Sequence, residues 1–485
     1  MTQLAVKKAL WLIWLVFIIA TLIFYTVGGE QLYYADIDTG AVVTATDDVG
    51  ELTTGTDIYQ TFLLDGTEIN SIYLEGNDYG RTVGGIMEVS ILNPEGATLF
   101  STQVDMAQFS GDGEMEILVD PALSINNGER LTLHIYVVDG SQGSVPTLHY
   151  GSSLSLSRGE AQITLSEDEK ATLNGNIIDG KLCFEILGRQ ALWFGSHYWI
   201  LVAIAGVLLG CFSVYEWRAI RIGKATMFSK LLQMAEKYRY LLEQLVARDF
   251  KRKYKRSILG VFWSLLNPML IMTVQYVVFS TIFKSSIENF AVYLLTGIVC
   301  YNFFSEVTNM SLTSITENAS LITKVYIPKY IYPVSRALSS MVNFLLSLIP
   351  LAVVMIATRT PVTDAVLLLP FAILCEFMLS MGVGMILASS MVFFRDTQFL
   401  WSVFNMVWMY MTPIFYPEDI ISGWLSYFFK INPLYHIIRF FRIILLNGVS
   451  PEPKAYLFCL ILSAIPLVLG VLIFKKTQDR FVLYI

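Results

Sequence analysis

Six basic residues crowd into nine positions of this chain: Arg248, Lys251, Arg252, Lys253, Lys255 and Arg256. They stand directly before a long apolar run, so they fix the start of a membrane span on the cytoplasmic side, where positive loops are retained. Each Lys or Arg placed this way contributes ~1 kcal/mol to contact with an anionic lipid surface. A second group is aromatic. Trp401, Phe404, Trp408 and Phe415 fall close to one helical stripe, and Tyr410 and Tyr416 add hydroxyls. Flat rings bind the apolar C–H faces of sugars without tight specificity, which suits a sliding polymer; the same stripe equally suits packing or an interfacial belt. Glu376 lies at membrane depth together with Gln275, Asn302, Asn343 and Asn405. An ionisable group there is costly and is by default a functional candidate. It either faces a water-filled path or is protonated and hydrogen-bonded.

No catalytic constellation accompanies these groups. The chain lacks GxxxxGK[ST], so it cannot cradle nucleotide phosphates in the P-loop manner. His134, His149, His197 and His436 are scattered without metal-ligand spacing, and the five Cys form no CxxC pair or disulfide framework. They read as packing residues. Asp36, Asp38, Asp47 and Asp48 hint at calcium but are explained better as solvated loops. No metal is expected, and nothing points to nucleic acid. Uphill movement of any cargo must draw its energy from another chain.

The elements that position these residues follow from composition. With 54% hydrophobic residues, 15% charged and a mean hydropathy of +0.56, this is a membrane protein. Charge is divided unevenly. Residues 30–190 hold 26 acidic and 6 basic side chains, a balance of −20, while the rest hold 14 acidic and 27 basic, a balance of +13. Lys7 and Lys8 precede an apolar stretch that reads as an uncleaved signal anchor (1–29), which would put residues 30–192 outside the cytoplasm. There the period changes to two: Met87, Val89 and Ile91; Met115, Ile117 and Val119; Leu131, Leu133, Ile135 and Val137. Turn signals at Asn93–Gly96 and Asn126–Gly128 separate such strands, predicting an all-β sandwich, jelly-roll-like.

The chain returns through a second span (193–217). An amphipathic interface helix and the basic run follow (218–257), with Leu231, Ala235, Tyr238, Leu242 and Leu245 on one stripe. Six further spans are predicted at 258–283, 290–310, 332–357, 366–394, 398–415 and 455–474, each near the ~20 residues that cross hydrocarbon. The expected fold is therefore an α-helical polytopic membrane protein with eight transmembrane helices, both termini inside and an inserted extracytoplasmic β domain. Between residues 313 and 330, Ser314 and Thr316 are possible caps of a short cytoplasmic helix that ends before Pro328.

Several motifs of the second half also carry a resemblance. Leu259, Gly260 and the Trp263–Pro268 run after the basic cluster, Leu294–Phe304, Asn318–Pro328 with Pro333, Arg395-Asp396, Pro413–Pro417 and Asn432–His436 with Arg439 and Arg442 resemble the permease subunit of type-2 ABC exporters. These are the exporters of O-antigen and wall teichoic acid, and the likeness covers about residues 230–485. It implies a membrane subunit for a lipid-linked polysaccharide in the bacterial cytoplasmic membrane. It further implies a homodimer, working with two copies of a separate ATPase that binds ATP and Mg. Under it, the basic cluster guides the pyrophosphate of a polyprenyl-linked glycan, Arg binding phosphate bidentately and Lys as a point charge. The rings at 401–416 line the glycan path. Asn318, Lys324, Tyr326, Lys329, Arg395 and Asp396 meet the ATPase, and residues 418–446 of the 258–485 core form an outer gate. Residues 1–225 lie outside the resemblance. Two alternatives stand beside this expectation: export of a lipid, drug or peptide on the same scaffold, and a sensor whose outer domain binds a ligand.

Overall fold

A computed structural model describes residues 2–38, 43–109, 112–151, 153–156, 159–162, 170–254, 262–281, 289–324, 327–417 and 425–484. It divides into a helical unit and a β unit, the latter spanning Tyr33–Ser196.

In the β unit the alternating segments become strands. One six-stranded antiparallel sheet runs in the order 176–177, 172–173, 57–63, 130–139, 86–92, 98–105. A seven-stranded sheet is built around Glu68–Asn77, which pairs with Asp112–Ser124 and with Phe184–Ala191. Three more described strands, at 43–44, 153–156 and 159–162, make a small third sheet. Met87, Val89, Ile91, Leu131, Leu133, Ile135 and Val137 from the first sheet share one core with Ile72, Leu74, Met115, Ile117, Val119 and Ile186 from the second. Every alternating residue named from the sequence is buried there. Period two does this because successive side chains leave opposite faces of a strand. The sequence alternation misses a bulge between Ile69 and Ser71, which returns Ile72 to the core side. Cys183 is buried in this unit, and burial with the nearby Glu75 pushes its thiol up to about 12. It is a packing group, not a reactive one.

The helical unit contains α1 (Thr2–Gly28), α2 (Trp193–Arg221), α3 (Met227–Tyr254), α4 (Phe262–Thr281), α5 (Phe290–Thr313), α6 (Ala319–Ile322), α7 (Ile331–Ala357), α8 (Leu369–Phe393), α9 (Thr397–Tyr410), α10 (Leu425–Ile431), α11 (Pro433–Arg442), α12 (Pro453–Thr477) and α13 (Phe481–Tyr484). Among the described residues, six helices are long and apolar enough to cross a membrane; α4 holds a shorter apolar stretch at Leu266–Val278. The span expected at 398–415 is only 14 residues of helix. Its hydrogen-bond ladder stops before Pro413, which has no N–H to continue it.

α5 is the buried centre, flanked by α4, α7 and α8. α1 and α2 lie largely exposed along their length and are tied by Trp14 Nε1 donating to Ser213 Oγ (3.2 Å) and Tyr198 Oη donating to the Thr21 carbonyl (2.6 Å). The stripe predicted on α3 is only half buried: Leu245 is covered, whereas Leu231 is exposed. The covered face continues one turn further to Asp249.

α8 and α12 cross with their backbones nearly touching. A Cβ added at Gly382 would sit 2.3 Å from backbone atoms of Pro466 and Leu467, and one at Gly470 would sit 2.3 Å from the Gly382 carbonyl oxygen. Paired glycines allow this approach, as small residues do in membrane bundles. Gly382→Ala must push whole helices apart, so overpacking should cost about 1–3 kcal/mol. Thermal unfolding of the detergent-purified variant checks this, and an unchanged midpoint would show the helices can part freely.

Candidate functional site

The basic run ends α3, and the structure gives its members different fates. Lys251 and Arg252 are exposed, while Lys255 and Arg256 lie outside the described residues. Arg248 donates through Nε and Nη2 to Asp249 Oδ1, both at 3.1 Å. Asp249 is almost wholly buried and pairs with Arg336 of α7 at 3.2 Å. Arg336, also buried, donates in turn to Glu317 Oε2 at 2.7 Å. Four charges thus form a chain Arg248–Asp249–Arg336–Glu317 that links the end of α3, α7 and the turn after α5. The two links to Arg336 do not show in the sequence, because they join residues 87 and 19 positions apart in a pattern only the fold creates.

Lys253 makes a separate connection. Its Nζ donates to Glu306 Oε1 on α5 at 2.8 Å, and Asn343 Nδ2 of α7 donates to the same oxygen at 2.8 Å. This triad lines a cavity of about 510 Å³ between the end of α3, α4, α5 and α7. On α5 the lining residues Asn302, Ser305, Glu306 and Asn309 recur at helical spacing and form one polar stripe. α4 contributes Trp263 and Asn267. Ser305 is itself fixed, its Oγ accepting from Asn405 Nδ2 (2.7 Å) and Asn309 Nδ2 (3.2 Å). Of these residues the sequence reading singled out Lys253, Asn302, Asn343 and Asn405; Glu306 escaped it, being one carboxylate near the expected end of a span.

The aromatic residues divide. Trp401, Phe404 and Trp408 do share one face of α9, with ring centroids 5.2–6.5 Å apart, and Phe304 of α5 joins them. Phe404 is exposed and Trp401 is buried. Phe404 and Trp408 border an apolar groove of about 310 Å³ with Phe428 and Ile431 of α10. Phe415 is not on this stripe: beyond the end of α9 it turns into the core. Tyr410 is exposed, and Tyr416 donates its hydroxyl to the Tyr410 carbonyl at 2.6 Å.

The segment after α9 is held by polar staples. Asn432 accepts from Trp408 Nε1 (2.9 Å) and from Leu434 N (3.1 Å), and donates to Thr412 Oγ1 (3.0 Å). It therefore caps α11 and ties it to the end of α9. The buried Arg442 guanidinium donates to the carbonyls of Pro413 (2.7 Å), Ile414 (3.3 Å) and Tyr293 (3.4 Å), and stacks 3.3 Å over the Tyr293 ring. These contacts give the Pro413–Pro417 and Asn432–His436 motifs a physical role. α10 and α11 fall within the segment expected to form the outer gate, the second continued as a π turn at Ile443–Asn447; residues 418–424 lie outside the described residues.

The turn after α5 is a 3₁₀ turn at Thr316–Asn318 followed by α6. Ser314 and Thr316 do not cap it; their hydroxyls donate back to the carbonyls of Ser311 and Thr313, because the chain stays helical there and leaves no free N–H for a cap. Asn318 is buried and donates to the Ser314 carbonyl at 2.8 Å. Lys324 is exposed, Tyr326 lies outside the described residues, and Lys329 donates to the Gln478 carbonyl at 2.6 Å. Arg395 and Asp396 are exposed in the turn between α8 and α9 and do not pair with each other. Glu376 is fully buried in α8 without a hydrogen-bond partner among the described residues, the Cys300 thiol lying beside it. Among those residues no group of His, Cys, Asp and Glu could hold a metal ion.

Residues 240–446 match the ABC-2 type transporter family. The chain is 32% identical over 248 residues to the O-antigen export system permease protein RfbA of Klebsiella pneumoniae, covering 50% of this chain and 95% of that protein. It is 28% identical over 254 residues to the protein of the same name from Myxococcus xanthus, covering 52% of this chain and 98% of the relative. The polysialic acid transport protein KpsM of Escherichia coli is 21% identical over 243 residues, 49% of this chain and 93% of its own length. The β unit precedes the family match.

Proposed function

The chain belongs to the ABC-2 type transporter family, and from that premise we propose that it is the membrane subunit of an ATP-driven exporter of a lipid-linked cell-surface polysaccharide. The observation that carries this reading is likeness over nearly the whole length of O-antigen export permeases, 95–98% of each. The site geometry agrees with it. A cavity with a polar stripe is lined by Lys253, next in the chain to exposed Lys251 and Arg252, cations that a pyrophosphate headgroup at the inner membrane surface would meet.

ATP and Mg belong to a separate ATPase under this proposal, and two copies of each chain assemble about a two-fold axis. All eight hydrophobic segments cross the cytoplasmic membrane, with α4 and α9 completing their spans in the assembled bundle. The β unit then lies outside the cytoplasm as a jelly-roll-like domain; its acidic balance favours a neutral over an anionic glycan. Residues 418–446 act as the outer gate.

The arrangement narrows the coupling residues. Asn318 is consumed by its own turn and Lys329 by Gln478, so among the described residues direct contact with the ATPase falls to Lys324, Arg395 and Asp396. The salt-bridge chain from Glu317 to Arg248 carries motion from that turn to the basic run. For the aromatics, Phe404 and Trp408 are the groove-facing pair for a sugar chain, while Phe415 and Trp401 pack. Deleting the gene in its bacterium tests the function: surface polysaccharide should vanish while lipid-linked glycan accumulates on the inner side. Unchanged surface polysaccharide would refute the proposal.

A further inference from the structure

The cavity between α3, α4, α5 and α7 is built for a ligand of particular chemistry. Asn267, Asn302, Asn309 and Asn343 bring four carboxamides to its wall. Each offers both donors and acceptors. Lys253 and Glu306 neutralise one another at 2.8 Å, so the wall's ionised pair carries no net charge. The indole of Trp263 adds a flat apolar surface on the α4 side. A hydrocarbon chain entering here would leave the carboxamides of Asn267 and Asn302 against apolar carbon, at a cost membrane interiors avoid. A bare anion would find an ion pair rather than a free cation. A neutral, hydroxyl-rich group satisfies the wall: hydroxyls both give and take hydrogen bonds, as the carboxamides require, and a sugar ring has an apolar face for the indole.

Position sharpens the assignment. Lys253 follows exposed Lys251 and Arg252 in the last turn of α3, so the cavity lies at the helix end that carries these cations. We propose that this cavity is a sugar-binding subsite that holds the first neutral sugar next to the lipid phosphate, with Asn302 and Asn267 as direct hydrogen-bonding residues. The Lys253–Glu306–Asn343 triad is its floor: the Glu306 carboxylate keeps acceptor capacity for a sugar hydroxyl beyond the two donors it already receives. The subsite deepens the export reading and rests on it.

The test uses the full chain in lipid nanodiscs and two probes, a bare polyprenyl diphosphate and the same carrier bearing one N-acetylhexosamine. Two or more hydrogen bonds and ring contact should make the sugar-bearing probe about ten-fold tighter. Asn302→Leu combined with Asn267→Leu should erase that difference while bare-carrier affinity stays within about two-fold. Asn302 and Asn267 are both exposed in the cavity wall, so the variant should keep its thermal midpoint, which is measured alongside. Equal affinity of the wild-type chain for both probes would overturn the subsite. A sugar preference that survives the double substitution would equally overturn it, placing the sugar elsewhere. Failure of the bare carrier to bind at all would instead count against the export reading on which the subsite rests.

Discussion

Replacing Arg336 by Met should lower the stability of the helical unit by about 3–5 kcal/mol, the cost of leaving a buried partner charge uncompensated. Asp249 has a side chain only 1% exposed and depends on Arg336, itself 8% exposed, at 3.2 Å. Its other cation, Arg248, is 46% exposed and reaches only one of the two carboxylate oxygens. Met keeps the bulk of the side chain, so the loss is electrostatic rather than a cavity. A double replacement, Asp249→Leu with Arg336→Met, should recover most of the loss because it removes both charges. Glu317→Gln at the far end of the chain should cost less than about 1 kcal/mol, since Glu317 is half exposed and its pair is screened by solvent. Its effect should fall on coupling instead, with glycan stimulation of the partner's ATP hydrolysis reduced while folding is kept. Equilibrium unfolding of the purified chain in mild detergent measures all three. A loss under 1 kcal/mol for Arg336→Met would show that the charge chain is ornamental.

Arg442→Leu is expected to have an effect of similar size by a different route. The guanidinium satisfies three carbonyls, those of Pro413, Ile414 and Tyr293. Those of Pro413 and Ile414 lie where the chain has left helical geometry beyond α9, and each orphaned buried carbonyl costs about 1–3 kcal/mol. Stacking over Tyr293 adds up to ~2 kcal/mol when desolvated. We expect a total above 3 kcal/mol, read as a lower unfolding midpoint and as early proteolysis between residues 411 and 447. Arg442→Lys should rescue little, because a single ammonium cannot fork to three carbonyls while lying flat on the ring. Wild-type protease resistance in Arg442→Leu would mean that Asn432 and its partners hold this segment alone.

What the sequence made legible followed from periodicity. Met87, Val89 and Ile91 alternate because a half-buried strand demands it, and they point into the core as expected. The apolar runs became α5, α7, α8 and α12 within a few residues of their expected ends. The basic run stood out through charge alone and became the last turn of α3. Partnerships were not legible. Lys253 is one of six like residues in sequence, and only the packing of α3 on α5 selects it for Glu306. Nothing in the sequence around Asn318 shows that its amide is spent on the Ser314 carbonyl. The aromatic stripe was right at Trp401, Phe404 and Trp408 and failed at Phe415, because a helical wheel cannot be carried past the point where Pro413 ends the helix. In each case local pattern gave the element, while the function of a polar side chain depended on what another element brought to it.

Transport itself is measured in proteoliposomes holding this chain with the ATPase encoded beside it and the host's lipid-linked glycan on the ATP side. Glycan should appear on the opposite side in an ATP-dependent manner, accessible there to a membrane-impermeant glycosidase, with hydrolysis stimulated by the glycan. Hydrolysis by a stable complex that leaves all glycan on the ATP side would contradict transport.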